Sequence, residues 1–257
     1  MSNQAVLHSV TQGEGKPLVL LHGWGMHSDC WGAFANELAK NHQVIRIDLP
    51  GHGKSKMICP LSLAETTKQL LLQVPAKAHY IGWSLGGSVL MQMAAVAPER
   101  ISSMTLIAAS PCFVQHPNWV PAMQVDVLKD FAKALEQDYR KTLLQFIALQ
   151  ILSSDQSKDA LKQLRANVFS YGEPCSEALE QGLNILMNAD LRDEFLTEII
   201  PCLVVLGERD QLVPVAVNDF YNDKQCTVEI IPKAGHVPFL SHMNNTLSCV
   251  ERFLADV

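Results

Sequence analysis

Six short apolar runs punctuate the chain, and each stops at a cluster of glycine, proline or aspartate. Residues 18–21 end at His22-Gly23-Trp24-Gly25, residues 44–47 at Asp48-Leu49-Pro50-Gly51-His52-Gly53, and residues 78–81 at Gly82-Trp83-Ser84-Leu85-Gly86. Residues 104–108 end at Ala109-Ser110-Pro111, residues 203–206 at Gly207-Glu208-Arg209-Asp210, and residues 228–231 at Pro232-Lys233-Ala234-Gly235-His236. The runs are mostly apolar, interrupted only by Arg46, His79, Thr105 and Glu229, which suits parallel strands covered on both faces. Helical patterns fit between most of them, at about 30–40, 62–73, 86–97, 215–222 and 244–255. Strands alternating with helices predict a parallel sheet clothed by helices on both sides.

The stretch from 112 to 190 breaks this rhythm. It holds no run that reads as a strand, and its apolar residues recur at helical spacing in about 123–135, 138–151, 157–169 and 176–188. The expected organisation is therefore an α/β core, 1–111 and 191–257, interrupted by an all-helical lid over 112–190. A lid placed there covers the carboxyl ends of the strands, where open sheets bind ligands.

The rest of the composition excludes more than it selects. A net charge of −6 argues against nucleic acid as a partner. No apolar run approaches the about 18 residues of a membrane span. The start, MSNQAVLHSV, lacks the basic and apolar regions of an export signal. Seven cysteines (30, 59, 112, 175, 202, 226, 249) occur singly without a CxxC, as in a chain kept reduced. A cytoplasmic monomer is expected. The nine histidines show no metal-ligand spacing, so neither a metal nor another cofactor is expected.

Gly82-Trp83-Ser84-Leu85-Gly86 fits G-x-S-x-G in the context that motif needs, after a strand and before a helix. Glycines two before and two after relieve a tight strand–turn–helix of clashing Cβ atoms, so the serine hydroxyl stands clear of the sheet. Taken alone, Ser84 reads equally as a helix N-cap. A nucleophilic serine needs a base, and the base an orienting acid. Asp210 and His236 follow in the order Ser, Asp, His, each in a loop just past a strand. Glu208, Asp190 and Asp193 are rivals for the acid; Val213-Pro214 after Asp210 looks like the start of the next helix and favours it. The N–H groups of Leu85 and Trp24 are the expected oxyanion hole, with the Trp24 indole walling the pocket.

LVLLHGWGM, RIDLPGHGKS, IGWSLGG, AASPCF, GERDQLVP and AGHVPF together resemble the α/β-hydrolase superfamily over nearly the whole chain. HGWG, GWSLGG, SPCF and FIALQ resemble, more narrowly, the esterase family that removes the methyl ester from a pimeloyl chain on acyl carrier protein in biotin synthesis. That resemblance implies a serine carboxylesterase, an acyl-carrier-protein-bound ester substrate, and substrate contacts at Trp24, Ser84, Leu85, Phe146, Gln150 and His236. Other uses of the same triad are a general short-chain carboxylesterase or thioesterase, and a carbon–carbon hydrolase or lyase; a non-catalytic binder would not need all three members. Dehalogenases and epoxide hydrolases would place Asp where Ser84 stands. Acyl carrier proteins are acidic, and residues 129–165 hold seven basic against five acidic side chains, a net +2 in a chain of −6. Lys158, Lys162 and Arg165 share a helix face, and with Lys141 they form the expected carrier-docking surface.

Overall fold

The computed structural model describes residues 6–58, 61–152, 154, 157–172, 175–195 and 200–257. Its centre is a seven-stranded sheet: β1 (Ser9–Gln12), β2 (Lys16–Leu21), β3 (His42–Ile47), β4 (Ala78–Trp83), β5 (Ile101–Ile107), β6 (Cys202–Gly207) and β7 (Thr227–Ile231). The spatial order is β1-β3-β2-β4-β5-β6-β7; β1 runs antiparallel to β3 and every other pairing is parallel. β4 and β6 are buried along their whole length, which is why they read as mostly apolar runs. β1 was not expected from the sequence. It lies at the sheet edge, and its SVTQ side chains alternate between exposed and half-buried, so it carries no apolar signature.

The crossover helices are α1 (Gly32–Leu38), α2 (Leu63–Leu71), α3 (Leu85–Val96) and α8 (Asn218–Asp223), and α9 (Pro238–Ser241) and α10 (Met243–Asp256) follow the last strand. α2 starts from a full capping box, with Ser62 Oγ accepting the Glu65 N–H and the Glu65 carboxylate accepting the Ser62 N–H. Between β5 and β6 come α4 (Val125–Gln137), α5 (Tyr139–Leu152), α6 (Ser157–Val168) and α7 (Ser176–Asn188). The two ends of this inserted stretch lie side by side: Cys112 bridges Asp190, and the Leu191 N–H donates to the Pro111 carbonyl at 2.8 Å.

Strand order sets where chemistry can happen. From β2 the chain moves outward to β3, then crosses to β4 on the other side. The loops after β2 and β4 diverge at that reversal and leave a crevice at the carboxyl edge. His22–Gly25, Ser84, Asp210 and His236 all follow the carboxyl ends of parallel strands and so meet on one rim. Among the described residues no helix is long and apolar enough to cross a membrane. The described cysteines, 30, 112, 175, 202, 226 and 249, form no disulfide; Cys59 lies outside the described residues.

Candidate active site

Ser84 sits between β4 and α3 with φ +52° and ψ −115°, in the left-handed region that a side chain occupies only under constraint. The constraint comes from both glycines. A Cβ on Gly82 would stand 2.6 Å from the Gly86 carbonyl oxygen, and one on Gly86 would stand 2.2 Å from the Leu21 carbonyl oxygen. The turn is thus pressed onto itself and onto β2. It is held in place by the Ser84 N–H donating to Ile107 and by the Ser84 carbonyl accepting from Gly87. Leu85 opens α3, whose first-turn N–H groups lack acceptors within the helix.

The Ser84 hydroxyl lies 2.9 Å from His236 Nε2, and His236 Nδ1 lies 2.8 Å from Asp210 Oδ2. Asp210 Oδ1 accepts the N–H groups of Leu212 (2.8 Å) and Val213 (3.0 Å), so the carboxylate is pinned by the turn that follows it. Ser84 is 5 % exposed, Asp210 6 % and His236 1 %, which leaves the relay out of bulk water. The rival acids stand elsewhere. Glu208 accepts the Lys233 N–H at 2.8 Å, Asp190 is gripped by the Arg192 guanidinium at 2.6 and 2.8 Å, and Asp193 is exposed.

A small cavity lies over Ser84 and His236. Trp24, Phe113, Met123, Leu128, Phe131, Phe146, Leu183, Leu186 and Leu212 line it, so its walls are apolar and come from the β2 loop, the inserted helices and the Asp210 loop. The Trp24 indole is fixed by donating Nε1–H to the Leu179 carbonyl at 2.8 Å, and it meets Phe131 and Phe146 edge-on at 5.4 and 5.0 Å. Leu85 lines a neighbouring small cavity instead, which it shares with His52 and Gly182. Gln150 is buried but is not among the residues that line the cavity over Ser84; its main-chain carbonyl accepts the His236 N–H at 3.0 Å.

Beneath the β2 loop lies a polar cluster that the sequence reading did not anticipate. His22 Nδ1–H donates to the Gly23 carbonyl at 2.8 Å, and its Nε2 accepts the Leu49 N–H at 3.0 Å. Complete burial, reinforced by His52 alongside, lowers the His22 pKa to about 3, so the ring is neutral and can accept that N–H. Burial lowers the pKa of His52 as well. Asp48 accepts the Ser28 N–H at 2.7 Å and the Lys54 N–H at 2.9 Å, tying the loops after β2 and β3 together. The signal was present in the sequence as Asp48 and His52 in one short turn, but nothing there pointed them at His22.

On the inserted helices, Lys141 and Arg165 line one surface groove with Asp138, Arg140 and Leu144, and Lys158 and Lys162 are exposed along α6. Lys129 and Lys133 pair with Asp126 (4.0 Å) and Asp130 (3.5 Å) on their own helix. Asp155, counted among the acidic residues of this stretch, lies outside the described residues.

Residues 16–243 match the family model described as the alpha/beta hydrolase fold. The chain is 38 % identical over 252 residues to the pimeloyl-[acyl-carrier protein] methyl ester esterase of Serratia marcescens, covering 97 % of this chain and 98 % of that one. It is also 38 % identical over 246 residues to the enzyme of the same name from Aeromonas salmonicida (strain A449), covering 94 % and 96 %. Among solved structures, the esterase EaEST from Exiguobacterium antarcticum superposes with a TM-score of 0.87 at 20 % identity, over 97 % of this chain and 95 % of that one, a likeness of fold.

Proposed function

The chain belongs to the α/β-hydrolase family and, within it, to the pimeloyl-[acyl-carrier protein] methyl ester esterases, and on that premise we propose that Ser84, His236 and Asp210 are its catalytic triad. It is a carboxylic ester hydrolase that cleaves the methyl ester of a pimeloyl chain carried on acyl carrier protein, a step of biotin synthesis. The observation that carries the triad is the unbroken chain from Ser84 Oγ through the imidazole to Asp210, at 2.9 and 2.8 Å, on the floor of an apolar cavity.

The roles follow from the geometry. His236 Nε2 takes the hydroxyl proton as Ser84 attacks the ester carbonyl, and Asp210 stabilises the imidazolium that forms. The main-chain N–H groups of Leu85 and Trp24 receive the developing oxyanion. His236 returns the proton to methanol, and water then attacks the acyl-enzyme by the same route. No step needs a metal or other cofactor. The methylene chain lies among Trp24, Phe131, Phe146, Leu183 and Leu186, which are apolar, and Gln150 borders the base from α5. The inserted helices act as a lid on the core, and their outer face receives the carrier: Lys141, Lys158, Lys162 and Arg165 offer positive charge to an acidic partner. The relay is complete within one chain, and the described cysteines carry no disulfide, which suits a monomer of the cytoplasm.

The test is hydrolysis of p-nitrophenyl esters of graded acyl length, then of the carrier-bound methyl ester, with Ser84→Ala as control. Ser84→Ala should abolish both activities; turnover surviving in it would overturn the triad. Replacing Lys141, Lys158 and Lys162 by Glu should weaken turnover of the carrier-bound ester and spare the small ones. Equal loss on both would remove the docking face.

A further inference from the structure

Trp83 sits beside the nucleophile, the loop that leads into Trp24 and the base. It precedes Ser84 in the chain. Its indole lies so close to Gly23 that a Cβ there would stand 3.0 Å from Trp83 Cε3, and Gly23 leads directly into Trp24. The indole N–H donates to the main-chain carbonyl of His236 at 3.0 Å, with both groups buried. The ring has little freedom to turn away: it is 1 % exposed and meets Phe239 edge-on at 5.1 Å and Trp31 at 6.5 Å.

The main chain of His236 is therefore held from two sides. Its N–H donates to the Gln150 carbonyl on α5 at 3.0 Å, and its C=O accepts from the residue beside the nucleophile. The imidazole on that backbone must reach Asp210 at 2.8 Å and Ser84 at 2.9 Å at once. A shift of a few tenths of an ångström at the Cα lengthens one of the two bonds. Packing alone would ask only for an apolar ring between Gly23 and Phe239; among the large aromatic side chains, indole alone carries a ring N–H donor.

We propose that Trp83 is a positioning residue for the general base, acting through the His236 carbonyl and never on the substrate. This rests on the triad reading of Ser84, His236 and Asp210, and the experiment separates the two. Trp83→Phe keeps a ring and removes the donor. Replacing Trp83 with benzothienylalanine keeps the bicyclic shape and removes only the N–H, which guards against a phenylalanine variant that folds poorly. Trp31→Phe is the packing control: Trp31 meets the same ring edge-on, and its own indole nitrogen has no partner among the described residues. The readouts are kcat and KM on a p-nitrophenyl ester, the rate of Ser84 phosphonylation by a fluorophosphonate, and the downfield proton resonance of the His236–Asp210 hydrogen bond.

Both Trp83 replacements should lower kcat by about tenfold, equivalent to about 1.4 kcal/mol, and leave KM within about twofold, because the lost bond makes no contact with substrate. Phosphonylation should slow by the same factor, and the downfield proton should move. Trp31→Phe should change none of these. A benzothienylalanine protein with the parental kcat and an unmoved resonance overturns the proposal, as does a Trp31→Phe protein that reproduces the loss. Ser84→Ala is run beside them: residual turnover there would sink the triad itself, whereas a dead Ser84→Ala with parental rates at Trp83 removes only the positioning role.

Discussion

Asp210→Asn is the sharpest probe of the relay because the structure dictates how the new side chain must sit. Oδ1 of Asp210 accepts the Leu212 and Val213 N–H groups, and Oδ2 faces His236 Nδ1. An asparagine has one oxygen and one NH₂ group. Two buried amides require an acceptor, so the oxygen stays on them and the NH₂ turns toward the histidine. His236 must then accept at Nδ1 and carry its proton on Nε2, facing Ser84, where it can take no proton. The carboxylate charge is lost as well. Opposite charges about 4 Å apart interact by about 4 kcal/mol at an effective dielectric of about 20, and the wrong tautomer adds about 1 kcal/mol or more. The sum corresponds to a fall in kcat of about 10³- to 10⁴-fold. KM should change little, and the melting temperature should stay near that of the parent because both amide bonds survive. Asp210→Ala should differ in stability, losing about 2–3 kcal/mol with two buried N–H groups left unpaired. The assays are steady-state hydrolysis of a p-nitrophenyl ester and denaturant unfolding. A kcat within tenfold of the parent in Asp210→Asn, or an equal loss in Glu208→Gln, would refute the reasoning.

Two further outcomes concern stability. Gly86→Ala drives a methyl into the main chain of Leu21, where no side chain can move aside, and should cost about 3 kcal/mol or more. Gly172→Ala, at φ +84° but with only the tip of Lys56 nearby at 3.5 Å, should cost about 1 kcal/mol; similar melting temperatures for the two would contradict the steric account. Below about pH 6.5 the unfolded chain protonates its histidines while burial keeps His22 neutral down to about pH 3. The unfolded state then binds more protons, so stability should fall with acid by about 1.4 kcal/mol per pH unit for this ring, most of it lost between those two values. His22→Gln keeps an acceptor for the Leu49 N–H and should flatten the slope of urea midpoints against pH by one proton; an unchanged slope would rule out His22 as its source.

The sheet was legible because β4, β5 and β6 are covered on both faces, and burial of that kind writes itself as short, mostly apolar sequence. β1 was not, because an edge strand with one wet side needs no such run. The four inserted helices fall within two residues of their expected bounds, since each buries one stripe at helical spacing. Ser84, Asp210 and His236 could be placed by order and by loop context, because the carboxyl edge of a parallel sheet gathers whatever follows its strands. The cavity wall could not. Phe113, Leu128, Leu186 and Leu212 come from separate parts of the chain and look locally like core, which most of their surface is. The main-chain bond from His236 to the Gln150 carbonyl was equally hidden, since it joins a loop to an inserted helix far from it in sequence. The bond from Trp83 to His236 joins residues 153 positions apart, and neither end announces it.

The pairing of Cys112 with Asp190 and of Pro111 with Leu191 has a consequence for how such a protein can change over generations. The inserted helices leave and rejoin the core at neighbouring points beside β5 and β6, which are themselves adjacent. Everything between those points can lengthen, shrink or be exchanged for another stretch while the sheet keeps its register, provided an acceptor still meets the His236 N–H where the Gln150 carbonyl does. Much of the apolar wall over Ser84 is thereby carried by one exchangeable stretch, and the nucleophile by the frame that holds it. Recombination at that doorway offers a lineage, or an engineer, a new acyl preference without having to reinvent the nucleophile.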